Sequence, residues 1–227
     1  MNNPRPVLVV GASGYVGSRV VRGLAADGRP VLAASRSAPP EEHDDAVVHV
    51  TYRNLTTLPD AVRAACARTG LPLPGAVVAS IGGWHKGEPL LAADPDQWSA
   101  TLASHLTAHL EAARALVPLL EPGDPYVVLN GAASREPMAG AGAICVTGAG
   151  LAMLVQVLRL EAGSDRSAGS VAGKPARSVR FHELVVDHAV SGDDRNENPA
   201  QTRTPAQVVH ALGELLDHAD APTVVHV

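Results

Sequence analysis

Residues 7–17 constrain this chain more than any other stretch: Val-Leu-Val-Val-Gly-Ala-Ser-Gly-Tyr-Val-Gly. Four aliphatic residues in a row read as a strand buried on both faces, and the amphipathic run from 14 to 26 reads as a helix. Gly11, Gly14 and Gly17 fall where the strand must turn into that helix. Gly11 permits the turn, Gly14 lets an anion approach the backbone, and Gly17 lets the helix pack closely. A pyrophosphate would sit on the exposed amides at the helix start, with Ser13, Tyr15 and Val16 beside it. A second apolar run at 31–35 closes a strand-helix-strand unit of about 30 residues, the context that a glycine triplet needs to indicate a dinucleotide site.

The rest of the chain repeats this alternation. Apolar runs at 7–10, 31–35, 46–50, 76–80, 126–130, 179–186 and 223–227 alternate with helical patterns at 14–26, 59–68, 96–120, 143–162 and 205–218. That order predicts an α/β protein: a Rossmann-type, doubly wound parallel sheet of about seven strands with helices on both faces, forming one domain over residues 1–227. A 46% hydrophobic content with only 3% aromatics predicts a core of Val, Leu and Ala, as a parallel sheet buried on both faces requires.

Three connections depart from the pattern. Residues 36–45 hold Pro39, Pro40 and four acidic residues and predict an irregular crossover. Residues 163–178 read as a mobile loop, and 191–204 either cover the ligand edge of the sheet or form a plain connection.

A net charge of −5 without a basic cluster argues against a nucleic-acid partner. No charged leader and no uninterrupted apolar run of about 18 residues is read, so a soluble cytoplasmic protein without a membrane partner is expected. Cys66 and Cys145 lack metal or disulfide spacing and read as small buried hydrophobes.

After the second strand, where an acid would bind the ribose of NAD, stand Ser35 and Arg36. A hydroxyl and a guanidinium suit a 2′-phosphate and point to NADP(H), although an arginine opening a surface loop is also unremarkable. Asn54 and Leu55 after the third strand, and Ser80, Ile81 and Gly82 after the fourth, complete the expected cofactor-binding set.

These residues resemble the short-chain dehydrogenase/reductase superfamily, over nearly the whole chain. Gly-Ala-Ser-Gly-Tyr-Val-Gly (11–17) is similar to the glycine motif of its extended and atypical members. Val-Val-Ala-Ser-Ile-Gly-Gly (77–83) stands where shorter members carry Asn-Ala-Gly. Asp96, Gln97 and Trp98 open the long helix as in many of them, residues 178–186 resemble their sixth strand, and 205–227 their last helix and strand. The resemblance implies a homodimer or homotetramer built on the long helix and the helix from 143. It also implies a catalytic Tyr with a Lys four residues later, a preceding Ser, and an Asn on the long helix. Here Ile144 aligns with the tyrosine, Gly148 with the lysine and His105 with the asparagine. Ser134 is the hydroxyl nearest the serine position. None of Tyr15, Tyr52 and Tyr126 is followed four residues later by Lys.

Replacement acids or bases are sought among His85, His105, Ser134, Asp187 and His188, with His105 first because imidazole titrates near neutrality. Trp84 and His109 lie nearby. His105 and His109 could grip a metal, but the helix lacks the glutamate of a His-Glu-x-x-His signature, and no metal is expected. Glu136 reads as a solvated carboxylate, and Tyr126 and Trp98 read as core. Three functions fit: an NADP(H)-dependent oxidoreductase of a small organic substrate with a non-standard site; a silent cofactor-binding subunit or sensor; or a non-redox cyclase, dehydratase or isomerase.

Overall fold

A computed structural model of the chain describes residues 4–37, 46–164, 178–193 and 200–227. Seven strands form one sheet: β1 (Val7–Val10), β2 (Val31–Ser35), β3 (Val47–Thr51), β4 (Ala76–Ala79), β5 (Pro125–Gly131), β6 (Arg180–Val186) and β9 (Val224–His226). Their order is β3-β2-β1-β4-β5-β6-β9 and every pairing is parallel. The chain reverses its winding at β1 and β4, and ligands of open α/β sheets bind beyond the strand ends at such a switch point.

Alternate residues of each strand enter opposite core layers, which explains why the strands read as unbroken apolar runs. Leu8, Val10, Leu32, Ala34, Val77, Ala79, Tyr126, Val128 and Phe181 pack on one face. They meet α2 (Leu58–Thr69), α4 (Ala108–Leu116) and α5 (Gly142–Ser164) through Val62, Ala112, Leu116, Leu151 and Val155. Val7, Val9, Val31, Ala33, Val78, Val127 and Leu184 pack on the other, against α1 (Tyr15–Ala26) and α6 (Pro205–Asp217) through Val20, Leu24, Leu212 and Leu215. Each Val, Leu or Phe among them contributes about 1.5–3 kcal/mol by leaving water.

Local chemistry sets the helix ends. Thr204 caps α6 and forms a capping box with Gln207 around Pro205, and Gly70 closes α2 in the left-handed conformation at φ 72°.

Some expectations need correction. The predicted helix at 96–120 is α3 (Pro95–Thr101), a π turn (Leu102–Thr107), α4 and a 3₁₀ turn (Val117–Leu119). Trp98, expected in the core, is only half-buried. Residues Gly142–Ala162 are long and apolar enough, by length and composition, to cross a membrane, although Thr147, Gln156, Arg159 and Glu161 interrupt the run. The sheet accounts for part of that apolarity, because Leu151, Ala152 and Val155 are buried. The crossover at 38–45, the predicted loop at 165–177 and positions 194–199 lie outside the described residues. A further pair of short strands, β7 (Ala189–Val190) and β8 (Thr202–Arg203), brings the two ends of the 191–201 connection together.

Candidate functional site

The site begins at the turn after β1. Gly11 adopts φ 82°, and a Cβ there would stand 2.0 Å from the Ser80 carbonyl oxygen. A Cβ on Gly17 would stand 2.1 Å from the Gly11 oxygen, so the first turn of α1 lies directly on the backbone that precedes it. Gly14 caps α1 without any side-chain hydrogen bond. The helix therefore presents uncapped amides and the positive end of its dipole, a fit for a pyrophosphate.

A cavity of about 550 Å³ opens above this turn, within the range of small-molecule sites. Gly14, Tyr15 and Val16 form one wall, and Ser80, Ile81, Gly82, Gly83 and Trp84 continue it beyond β4. Its floor is the end of β5 and the turn after it, from Leu129 to Ser134. Met138, Ile144, Gly148 and Leu151 close one side, and Asp187, His188, Ala189, Val190, Asp193 and Gln201 the other. The expected residues Gly14, Tyr15, Val16, Ser80, Ile81, Gly82, His105, Ser134, Asp187 and His188 thus converge.

Others do not. His85 faces a separate small depression with Gln97, Trp98 and Gly140. Gly11 and Gly17 lie outside the cavity lining and shape the turn, and Ser13 is exposed beside it. Ser35 is buried and donates its hydroxyl to the Ser37 oxygen, which removes it as a free donor; Arg36 beside it is exposed. Asn54 accepts from Thr57 N (3.0 Å) and Thr56 Oγ1 (2.6 Å) and so shapes the entry to α2. Leu55 packs against the core. Burial pushes the nearby Tyr52 phenol up, and the Arg36 charge opposes this.

The polar groups of the cavity are largely engaged with backbone. His105 Nε2 accepts the Gly83 amide proton at 2.9 Å, and burial holds this imidazole below its ordinary pKa. One helical turn on, His109 Nε2 donates to the Ile81 oxygen at 3.1 Å, while its Nδ1 is buried without a partner among the described residues. Burial pushes His109 down to about 4. With both Nε2 atoms on backbone groups, these histidines brace the turn after β4 and do not converge on a shared point. Ser134 Oγ donates to the Gly131 oxygen at 2.7 Å. Asp187 Oδ1 accepts from His226 Nδ1 at 2.8 Å.

Several lining residues escaped the sequence reading. Lys86, Met138 and Gln201 lie on irregular segments without periodicity. Asn130 and the buried Glu183 behind it did carry a signal: a carboxylate inside the apolar run of β6 demands partners. Glu183 accepts from Asn130 and from Arg135.

A switch-point cavity over a glycine turn, on a seven-stranded parallel sheet, defines a Rossmann-type α/β scaffold. Residues 7–87 match the model of the NAD dependent epimerase/dehydratase family. Among solved structures, a short-chain dehydrogenase/reductase from Serratia marcescens superposes with a TM-score of 0.74 at 16% identity, covering 98% of this chain and 95% of that one. Serine dehydrogenase from Escherichia coli gives 0.73 at 18%, covering 97% and 96%. A short-chain dehydrogenase from Streptomyces avermitilis gives 0.74 at 18%, covering 99% and 88%. No curated protein matches the sequence. The family match covers residues 7–87, and over the whole chain the superpositions show the fold of short-chain dehydrogenases/reductases.

Proposed function

We propose that this chain is a soluble, cytoplasmic, single-domain NADP(H)-binding protein, an oxidoreductase of a small organic substrate with a non-standard catalytic site. The observation that carries this reading is the continuity of one cavity from the uncapped start of α1 to the apolar corner of Trp84, Met138 and Ile144. The first end suits a dinucleotide and the second a small, largely apolar substrate. Arg36, exposed beyond β2, is the side chain that would meet a 2′-phosphate.

When bound, the cofactor supplies or accepts a hydride. The chain must then move the proton. Ile144 and Gly148, at the positions of the usual acid and its lysine, cannot do so. His105 is held neutral, and with Nε2 committed to Gly83 only Nδ1 is left to exchange a proton. The Ser134 oxygen retains lone pairs that accept a hydrogen bond, and His188 and Lys86 stand on the cavity wall. A second reading, a silent cofactor-binding subunit or sensor, draws support from one observation: His105 and Ser134 each satisfy backbone groups instead of each other.

Calorimetric titration tests the cofactor. NADP(H) is expected to bind more tightly than NAD(H), and Arg36→Ala to weaken NADP(H) by about tenfold while sparing NAD(H), the scale of one charge-assisted hydrogen bond. Equal affinities would sink the preference, and no binding of either would sink the reading of the glycine turn. Across a panel of simple ketones and alcohols little turnover is expected; the rates of ordinary family members would show that another donor has fully taken over.

A second copy of the chain is the proposed protein partner. Val146, Met153, Val157 and Leu160 are exposed on α5, at helical spacing that places them on one face.

A further inference from the structure

We propose that Glu183 is the positioning residue of this site: its single carboxylate grips both ends of the turn that carries Ser134. This rests on the proposed NADP(H) reading, extended by placing the nicotinamide end of the cofactor on that turn. Glu183 stands in the middle of β6, on the face that carries Phe181 and Val185, and is 1% exposed. Asn130 Nδ2 donates to its Oε1 at 2.8 Å, and Arg135 Nη2 donates to its Oε2 at 2.5 Å. Asn130 and Arg135 flank Gly131, Ala132, Ala133 and Ser134, all four of which line the cavity.

The bracket extends to α5. Asn130 Nδ2 also donates to the Gly148 oxygen at 3.0 Å, and Asn130 Oδ1 accepts from Gly131 N at 2.9 Å. A Cβ on Gly148 would lie 3.1 Å from Ser134 Cα and 3.3 Å from Asn130 Oδ1. The helix has therefore closed onto the turn at the very position where a lysine would project in ordinary family members. Gly148 offers no side chain to shape the floor, and the turn is held from beneath, by β6.

Burying a carboxylate in a sheet is costly unless every oxygen is paired, and an apolar residue would stabilise this strand as well. What the carboxylate adds is geometry. It fixes two points five residues apart in sequence, and a turn pinned at both ends keeps its backbone and its hydroxyl in one arrangement.

The test compares two probes on the full chain: NADPH, and adenosine 2′,5′-bisphosphate, which lacks the nicotinamide end. Glu183→Gln keeps the size and an acceptor for Asn130 but cancels the charge facing Arg135. It is expected to weaken NADPH about tenfold and leave the bisphosphate unchanged. Arg135→Met breaks the same bond from its more exposed side, so it tests the proposal even if Glu183→Gln fails to fold, and should act alike. Arg135→Lys, which keeps the charge, should restore most of the NADPH affinity. Bound NADPH fluorescence should shift toward that of free NADPH in the first two variants and not in the third. Unchanged NADPH affinity in folded variants would overturn the proposal, as would equal losses for both probes, which would mark a fold-wide effect. A wild-type protein that binds the bisphosphate but gains nothing from the nicotinamide end would also overturn it while sparing the cofactor reading. One that binds neither probe would overturn that reading and this proposal with it.

Discussion

His105 and Gly83 are joined by a hydrogen bond of 2.9 Å from the glycine amide to Nε2, and the ring lies so close to the same turn that a Cβ on Gly82 would stand 3.0 Å from that nitrogen. The imidazole thus acts on the cavity wall through backbone. His105→Ala should leave the Gly83 amide without its acceptor and cost about 1 kcal/mol of stability, measured by urea unfolding. If His105 also moves a proton, turnover of the true substrate should fall at least tenfold with NADP(H) affinity nearly unchanged. Full activity in the variant would leave His105 a clamp only.

Stability should depend on pH through His109. Its folded pKa, about 4, lies below the unfolded value of 6.5, so the unfolded chain takes up a proton first. The contribution is complete above pH 6.5 and is lost as pH falls toward 4, at about 1.4 kcal/mol per pH unit. His105 is shifted in the same direction and adds to the slope. Unfolding free energies measured at several pH values across that window should rise with pH in the wild type and less steeply in His109→Gln; identical slopes would remove His109 as the cause.

Gly17→Ala pits two effects against each other. Alanine favours a helix interior by about 1 kcal/mol. Its Cβ, however, would meet the Gly11 oxygen at 2.1 Å and the Gly11 carbon at 2.9 Å, both backbone atoms that cannot swing away. The clash should win, displacing α1 and weakening NADP(H) by at least about tenfold, since the lost amides are charge-assisted donors. A variant that binds as the wild type does would show that the turn tolerates a shifted helix.

The exposed stripe of α5 should mediate self-association. Met153 is 57% and Leu160 73% exposed, large fractions for apolar side chains on one helix face. Light scattering should find a dimer or larger species in the wild type, and Met153→Glu with Leu160→Glu should yield a monomer, because burying two unpaired carboxylates is unfavourable. A monomeric wild type would refute the interface.

Seven strands and their parallel arrangement were legible along the chain because a sheet buried on both faces leaves unbroken apolar runs, and those at 7–10 and 31–35 coincide with β1 and β2 to the residue. The glycine turn was equally legible, since Gly11 and Gly17 answer a steric demand that no other residue type meets. The break in the long helix was not. Helical periodicity from 96 to 120 is nearly the same with or without a π turn at Leu102–Thr107, and only the packing of that segment distinguishes the two.

The sequence by itself determined the layered sheet and the turn prepared for a nucleotide, because both depend on local sterics and on the period of burial along one strand or helix. Only the tertiary structure decided which polar groups are already committed. Residues 105 and 83, 134 and 131, and 183 with both 130 and 135 become partners through contacts between separate segments or within an irregular turn. A hydrogen bond is set by distance and direction in space, which no spacing along the chain encodes.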